Sequence, residues 1–180
     1  MPNWAIGSVD VTGTREAVLA FSDRFITDDE ISTVPGRKCF ARSFLEESRE
    51  DFRNEIKEFF KSAASDEKRT FNLGVMFAWS ATSCMINGYP QANPNECITL
   101  AEACTEDCVS VEIHTSETGM CFEEEITCDE DGNCTDVERD MDSYRCPECG
   151  EVWCLASFED PDDYECCECG HQGLVPREDE

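Results

Sequence analysis

Four cysteines have the type and spacing to do chemistry. Cys146-Pro-Glu-Cys149-Gly and Cys166-Cys167-Glu-Cys169-Gly are two C-x-x-C pairs with sixteen residues between the inner cysteines. The glycine after each second cysteine lets the backbone bend while its amides point at sulfur. Two such turns at the ends of a short hairpin present four thiolates in a tetrahedron, the coordination that Zn2+ accepts. Cys146, Cys149, Cys166 and Cys169 fill that shell and leave no position for water. The expectation is therefore one structural Zn2+ and not a catalytic one. Cys167 has the wrong spacing to Cys169 to replace Cys166, and Cys154 and His171 are spare donors close by. The competing account is two unrelated buried thiol pairs.

The elements that hold these cysteines must be small. A segment of about 35 residues cannot fold on its own core, whereas zinc binding contributes on the order of 10 kcal/mol to folding at neutral pH. Trp153, Phe158 and Tyr164 are the apolar residues available for a ribbon core. The boundary falls near Asp140 to Ser143. Residues 1–140 are expected to form one α+β domain, and 141–180 a four-cysteine zinc ribbon with an acidic tail.

In the first part the hydrophobic spacing alternates between strand and helix. Trp4, Ile6, Val9 and Val11 predict a strand over Asn3 to Thr12. Thr14 caps a helix over Arg15 to Phe25, and Ser48 with Asp51 opens a second over about Arg49 to Ala64, striped by Phe52, Ile56, Phe59, Phe60 and Ala63. Cys39 to Phe44 suits a short strand, and Thr70 to Trp79 a buried one. Loops are expected around Pro35 and over Gly88 to Asn95. Thr99 and Glu102 form a capping box before a short helix to about Glu106. Val109, Val111 and Ile113 alternate with polar residues, as do Phe122, Ile126 and Cys128, although Glu124 breaks the second apolar face. Asp131-Gly132 predicts a turn. The order β-α-β-α-β-α-β-β reads as an α+β sheet with helices on one face.

Other candidate sites are weaker. Thr127 to Glu138 places Asp129, Asp131, Gly132 and Glu138 at calcium-loop positions, but Thr127 stands where the first carboxylate belongs, so a hairpin turn is the better account. Cys104, Cys108, Cys121, Cys128 and Cys134 could gather around a second metal, although small buried thiols are the expectation. His114 beside Glu112 could activate Cys121 or Cys84, but no nucleophile signature surrounds either. No phosphate-binding glycine loop is present, and no credible catalytic constellation points to an enzyme.

Charge narrows the partner. The 180 residues carry 41 Asp+Glu against 14 Lys+Arg, a formal net charge of −27. Residues 116–180 hold 22 of those acids and 3 of those bases. Phosphate-binding proteins need the reverse balance, so direct contact with nucleic acid is disfavoured by repulsion. Glu123, Glu125, Asp129, Asp131, Asp160, Asp162 and Asp163 are the candidates for a solvated face that presents spaced negative charge to a protein with a basic surface. No stretch approaches about 18 apolar residues, so no membrane span is expected. With no secretory leader visible, the expectation is a cytoplasmic protein whose 14 cysteines are metal ligands and thiols rather than a disulfide framework.

The opening Met1-Pro2-Asn3-Trp4, with a strand ending in Val11-Thr12-Gly13 and a following helix, resembles a family of phages and mobile elements that begins Met-Pro-Asn-Trp-Cys. Its members carry a YubB-like ferredoxin-like domain. Phe77-Ala78-Trp79-Ser80 resembles the tryptophan strand of that domain. Val109 to His114, Glu117-Thr118-Gly119 and Phe122 resemble its closing strand pair. The likeness covers about residues 1–140, and the ribbon resembles an appendage of some relatives. Ala5 stands where the family has cysteine. The resemblance implies a ferredoxin-like antiparallel sheet with helices on one face and a genomic setting, not a reaction.

Three functions follow as expectations. The first is a non-enzymatic acidic binding protein that mimics nucleic acid on a basic site of a host or defence protein. The second is a zinc-ribbon accessory factor that contacts nucleic acid, or a nucleic-acid enzyme, through Arg37, Lys38 and Arg42 or Lys68 and Arg69. The third is an enzyme of undefined chemistry.

Overall fold

The computed structural model describes residues 3–26, 36–88, 93 and 95–177. Met1, Pro2, the expected loop around Pro35 and most of the expected loop 88–95 lie outside the described residues.

The chain builds strands β1 (Trp4–Gly13), β2 (Cys39–Phe40), β3 (Ser43–Leu45), β4 (Arg69–Ala78), β5 (Cys97–Ile98), β6 (Ser110–Glu117), β7 (Phe122–Cys128), β8 (Cys134–Asp140), β9 (Asp142–Arg145), β10 (Val152–Leu155) and β11 (Val175–Pro176). Helices α1 (Arg15–Ser22), α2 (Arg49–Phe59) and α3 (Leu100–Asp107) lie between them. Six strands form an antiparallel sheet in the order β3-β4-β1-β6-β7-β8. β1 lies between β4 and β6 and is antiparallel to both. One face is dry: Val9, Val11, Leu73, Val75, Phe77 and Ile113 pack with Val18, Phe21, Phe52, Ile56, Leu100 and Ala103 of the helices.

The helix starts follow their caps. Thr14 accepts from the Ala17 amide at 3.3 Å, and Ser48 from that of Asp51 at 3.2 Å. Thr99 and Glu102 make the reciprocal capping box. The helix ends differ from expectation. α1 stops at Ser22 and α2 at Phe59, yet Phe25 and Phe60 beyond them are still buried. Periodic apolar residues mark what enters the core, and turns can deliver them as well as helix can.

Two strand expectations are revised. Cys39 to Phe44 splits into β2 and β3 around Arg42, whose φ is 55°. β8 has no apolar alternation and is exposed almost throughout, so hydrophobic period gave no sign of it. Its hairpin register with β7 builds it. Glu124 does not break β7. It is buried, and its carboxylate accepts from the amides of Ala81 at 2.7 Å and Thr82 at 3.0 Å and from the Thr115 hydroxyl at 3.1 Å. It thereby caps the start of a π-helical turn, Thr82–Ile86.

Charge is also buried among the helices. The Arg24 side chain is 0% exposed and grips Asp107 at the end of α3 through Nε (2.6 Å) and Nη2 (3.1 Å). Its Nη1 donates to the Lys38 carbonyl at 3.0 Å, and Arg37 also pairs with Asp107. In β1, Gly7 passes so close to β6 that a Cβ would collide with the His114 carbonyl. Gly7→Ala is therefore expected to destabilise the chain by about 2–4 kcal/mol, because backbone must move to make room. A lowered urea midpoint checks it.

The cysteines correct one expectation. Cys128 and Cys134 face each other across the β7–β8 register and are disulfide-bonded, as are Cys121 and Cys154. The second bond joins the β6–β7 turn to β10, 33 residues on. These four cysteines are neither thiols nor metal ligands, because folding sets each beside a partner.

Candidate metal centre

A three-stranded sheet in the order β10-β9-β11 frames the cysteine pairs. The two knuckles repeat one hydrogen-bond pattern. The Cys146 amide donates to the Glu151 carbonyl and the Gly150 amide to the Cys146 carbonyl, at 2.8 and 2.9 Å. In the second, Cys166 donates to His171 and Gly170 to Cys166, both at 2.8 Å. Gly150 and Gly170 have φ of 80° and 73°, the left-handed conformation in which glycine escapes the Cβ clash.

The four sulfurs of Cys146, Cys149, Cys166 and Cys169 lie within 4.8 Å of one another. Cys146 is 3.5 Å from Cys169 and Cys149 is 3.5 Å from Cys166, sulfur to sulfur. A tetrahedron with metal–sulfur bonds of about 2.3 Å has edges of about 3.8 Å, so these four could hold a metal ion. Cys146 and Cys166 are buried, while Cys149 and Cys169 reach the surface. The amides of Cys149 and then Glu148 aim at the Cys146 sulfur and hold its thiol down to about 6. Cys149 goes the other way, up to about 12: the Glu151 amide lowers it, but burial and the neighbouring sulfurs together outweigh that amide. Without a metal the negative charge therefore gathers on one sulfur of the four.

Beneath the knuckles, Leu155 and Leu174 pack with Tyr144, Trp153 and Tyr164. Phe158 does not join them, against expectation. It is exposed and meets His114 of the large sheet, ring centroids 6.0 Å apart. The spare donors are used elsewhere. Cys154 is in its disulfide, Cys167 is exposed outside the cluster, and His171 contributes its backbone carbonyl. Among the described residues no second cluster gathers three metal-ligating side chains. The His114 dyad does not form: Cys121 is oxidised, and Cys84 is buried with its thiol donating to the Ala78 carbonyl. His114 itself bonds Glu112 at 2.9 Å.

The expected acidic face is dispersed. Glu123 is only 4% exposed, accepts from the Ser157 amide beyond β10 and pairs with Arg139. It belongs to the junction between the two sheets and not to a solvated surface. Glu125 also pairs with Arg139, at 2.7 Å. Asp129 folds the β7–β8 hairpin, accepting from the amides of Asp131 and Asn133, so the calcium-like segment is a turn. Hydrogen bonds from the Asn133 side chain, then its amide, lower the Asp129 carboxyl. Asp131 is exposed at the same turn, and Asp160, Asp162 and Asp163 lie exposed around the single turn Pro161–Asp163, where Asp160 accepts from the Asp162 amide.

Fold and site together define a mixed α+β protein with a large antiparallel sheet and a four-cysteine cluster able to take a metal. Among the described residues no helix is long and apolar enough to cross a membrane. Compared with protein-family models, with curated proteins and with solved structures, the chain finds no match.

Thiol reactivity offers a direct check of these environments. Burial pushes Cys84 up to about 11 and Cys104 up to about 12. Both are therefore protonated as well as shielded at about pH 8. Brief maleimide treatment of the native chain is expected to label the exposed thiols Cys108 and Cys167 first and to leave Cys84 and Cys104 unmodified, as read by peptide mass spectrometry.

Proposed function

We propose that this chain is a non-enzymatic, acidic zinc protein of phage or mobile-element type. It acts by occupying the basic surface of a protein that otherwise holds nucleic acid. One observation carries this reading: the cations are largely spent internally while the acids outnumber them. Arg24, Arg37, Arg53, Lys61, Lys68 and Arg139 each pair with a carboxylate of the same chain. The surface that remains is anionic, which speeds encounter with a basic partner and repels nucleic acid. Arg37 is engaged by Asp107, Lys68 by Glu130 and Arg69 by Glu67. Those pairings weigh against the accessory factor that would have used them on phosphate.

Supporting features are structural. Four thiolates with no open position suit zinc in a closed, non-catalytic role. The ferredoxin-like reading of residues 1–140 draws on strand order: β4 separates β1 from β3, β1 separates β4 from β6, and a helix lies in each crossover. The ribbon reading of 141–180 draws on the paired knuckles.

A tagged chain incubated with host lysate at low salt, then eluted at high salt, tests the function. The expected eluate is a protein that binds nucleic acid and that duplex DNA displaces from the tagged chain. An empty eluate, or a partner indifferent to both salt and DNA, sinks the reading.

A further inference from the structure

Among the described residues α1, α2 and α3 pack on one face of the large sheet, and the opposite face is largely uncovered. β1 presents Trp4, Ile6, Ser8, Asp10 and Thr12 on that side, because successive strand residues alternate. The face divides into two ends. At one, Trp4 and Ile6 are 39% and 48% exposed, with Met76 opposite Ile6 and Phe44 edge-on to Trp4 at 5.5 Å. Trp79, which follows the Ala78 that pairs with Trp4, is exposed and at φ 81°, its amide donating to the Asn3 carbonyl. A bulky side chain in the left-handed region is strained backbone, and such strain clusters at binding sites.

The other end is acidic and hydroxylated. A shallow cavity of about 530 Å³ is lined by Asp10, Glu112 and Asp129 with Thr12, Thr70 and Thr127, among other polar side chains, and by no lysine or arginine. Asp10 and Glu112 are direct cross-strand neighbours. Like charges opposite each other cost the sheet stability. Their local partners are an Asn72 amide, 2.7 Å from Asp10, and His114, 2.9 Å from Glu112. Phe158 and Ser157 meet this face on its β6–β7 side, at His114 and Glu123.

We propose that this helix-free face receives the partner, as an extended segment with an apolar anchor over Trp4 and Ile6 and an arginine or lysine over Asp10 and Glu112. The inference rests on the proposed acidic binding function and names its docking face. Charge complementarity selects the occupant: the cavity offers carboxylates and hydroxyls and no cation, so a bound cation would relieve the Asp10–Glu112 repulsion. A second copy of this chain would bring like charge and be repelled. Ile6 and Asp10 are four residues apart, about 13 Å along the strand. An extended occupant therefore carries its anchor and its cation four residues apart.

Selection of a random twelve-residue peptide display library on the immobilised full chain tests this. The expected winners pair an aromatic or aliphatic residue with Arg or Lys four positions away. Synthetic versions, followed by fluorescence anisotropy, should lose at least tenfold in affinity against Asp10→Lys/Glu112→Lys. The isosteric Asp10→Asn/Glu112→Gln should lose several-fold. Asp160→Lys/Asp162→Lys/Asp163→Lys in the ribbon should stay within twofold, with matching circular dichroism for every variant. Basic winners that lose affinity only with the ribbon variant, or equally with both sets, overturn the docking face and leave the acidic binding function standing. Winners without Arg or Lys, or no winners, overturn both.

Discussion

Stripping a metal from the four cysteines is expected to collapse the three-stranded sheet beside them while leaving the large sheet folded. Elemental analysis should find one zinc per chain, and a strong chelator should release it. Cys166→Ser should abolish stoichiometric binding, because Cys166 is a buried corner of the tetrahedron and its serine oxygen is a poor zinc ligand. The effect is large because the ribbon's own core is Leu155, Leu174 and a few aromatic rings, far too little to offset chain entropy. A zinc ion held by the four cysteines would supply on the order of 10 kcal/mol. Trp153 reports the event: it packs on Tyr164, ring centroids 6.2 Å apart, and its fluorescence should shift as the core opens. Far-ultraviolet circular dichroism from the six-stranded sheet should change little. Protease should then cut within 146–170; a fragment cut before Cys154 should stay attached until reductant opens Cys121–Cys154, and one cut after it should leave at once. A chain that keeps its ribbon after chelation, or that holds zinc equally well as Cys166→Ser, would show that the four sulfurs cluster for another reason.

Asp107→Ala is expected to destabilise the large domain by about 3–5 kcal/mol, the cost of leaving a buried charge without its partner. Arg24 is fully enclosed and cannot turn to water, and Asp107 supplies both arms of its bidentate contact. Burial works against the charged guanidinium, but the Asp107 hydrogen bonds, then its charge, outweigh it and raise the Arg24 pKa. Arg24 therefore stays charged at any accessible pH and cannot escape by neutralising. Half-exposed Glu106, 3.1 Å from Arg24, recovers only part of the loss. The double change Arg24→Met/Asp107→Leu should cost much less than Asp107→Ala, since an apolar pair of similar volume needs no counter-charge. Urea unfolding at fixed redox conditions measures both. Equal losses in the single and double variants would mean that Asp107 matters for packing and not for charge.

Local signals survived into the structure where a single stretch of chain decides the outcome. Thr14, Ser48 and Thr99 cap the helices whose starts they marked, because a cap joins residues three apart. The alternation of Val111 and Ile113 with Glu112 and His114 marked a half-buried strand for the same reason. The cysteine quartet was legible because each C-x-x-C-Gly turn closes on itself and only one long-range pairing remains to be made. Other features had no local signal. Glu123 and Glu124 stand side by side in an acidic run, yet one is sealed by the ribbon and the other caps a π-helical turn. β8 forms because β7 offers an edge, not because its own residues ask for one.

Composition and short spacings were enough to set the excess of negative charge, the helix starts and the four sulfurs that share one centre. Long-range packing settled which acids meet solvent, which cysteines oxidise together, that Arg24 is buried against Asp107 and that Phe158 leaves the ribbon core for His114. These depend on contacts between residues far apart in the chain. Which distant neighbour a side chain meets is set by sheet register and the packing of whole elements, and no short window of residues contains that information.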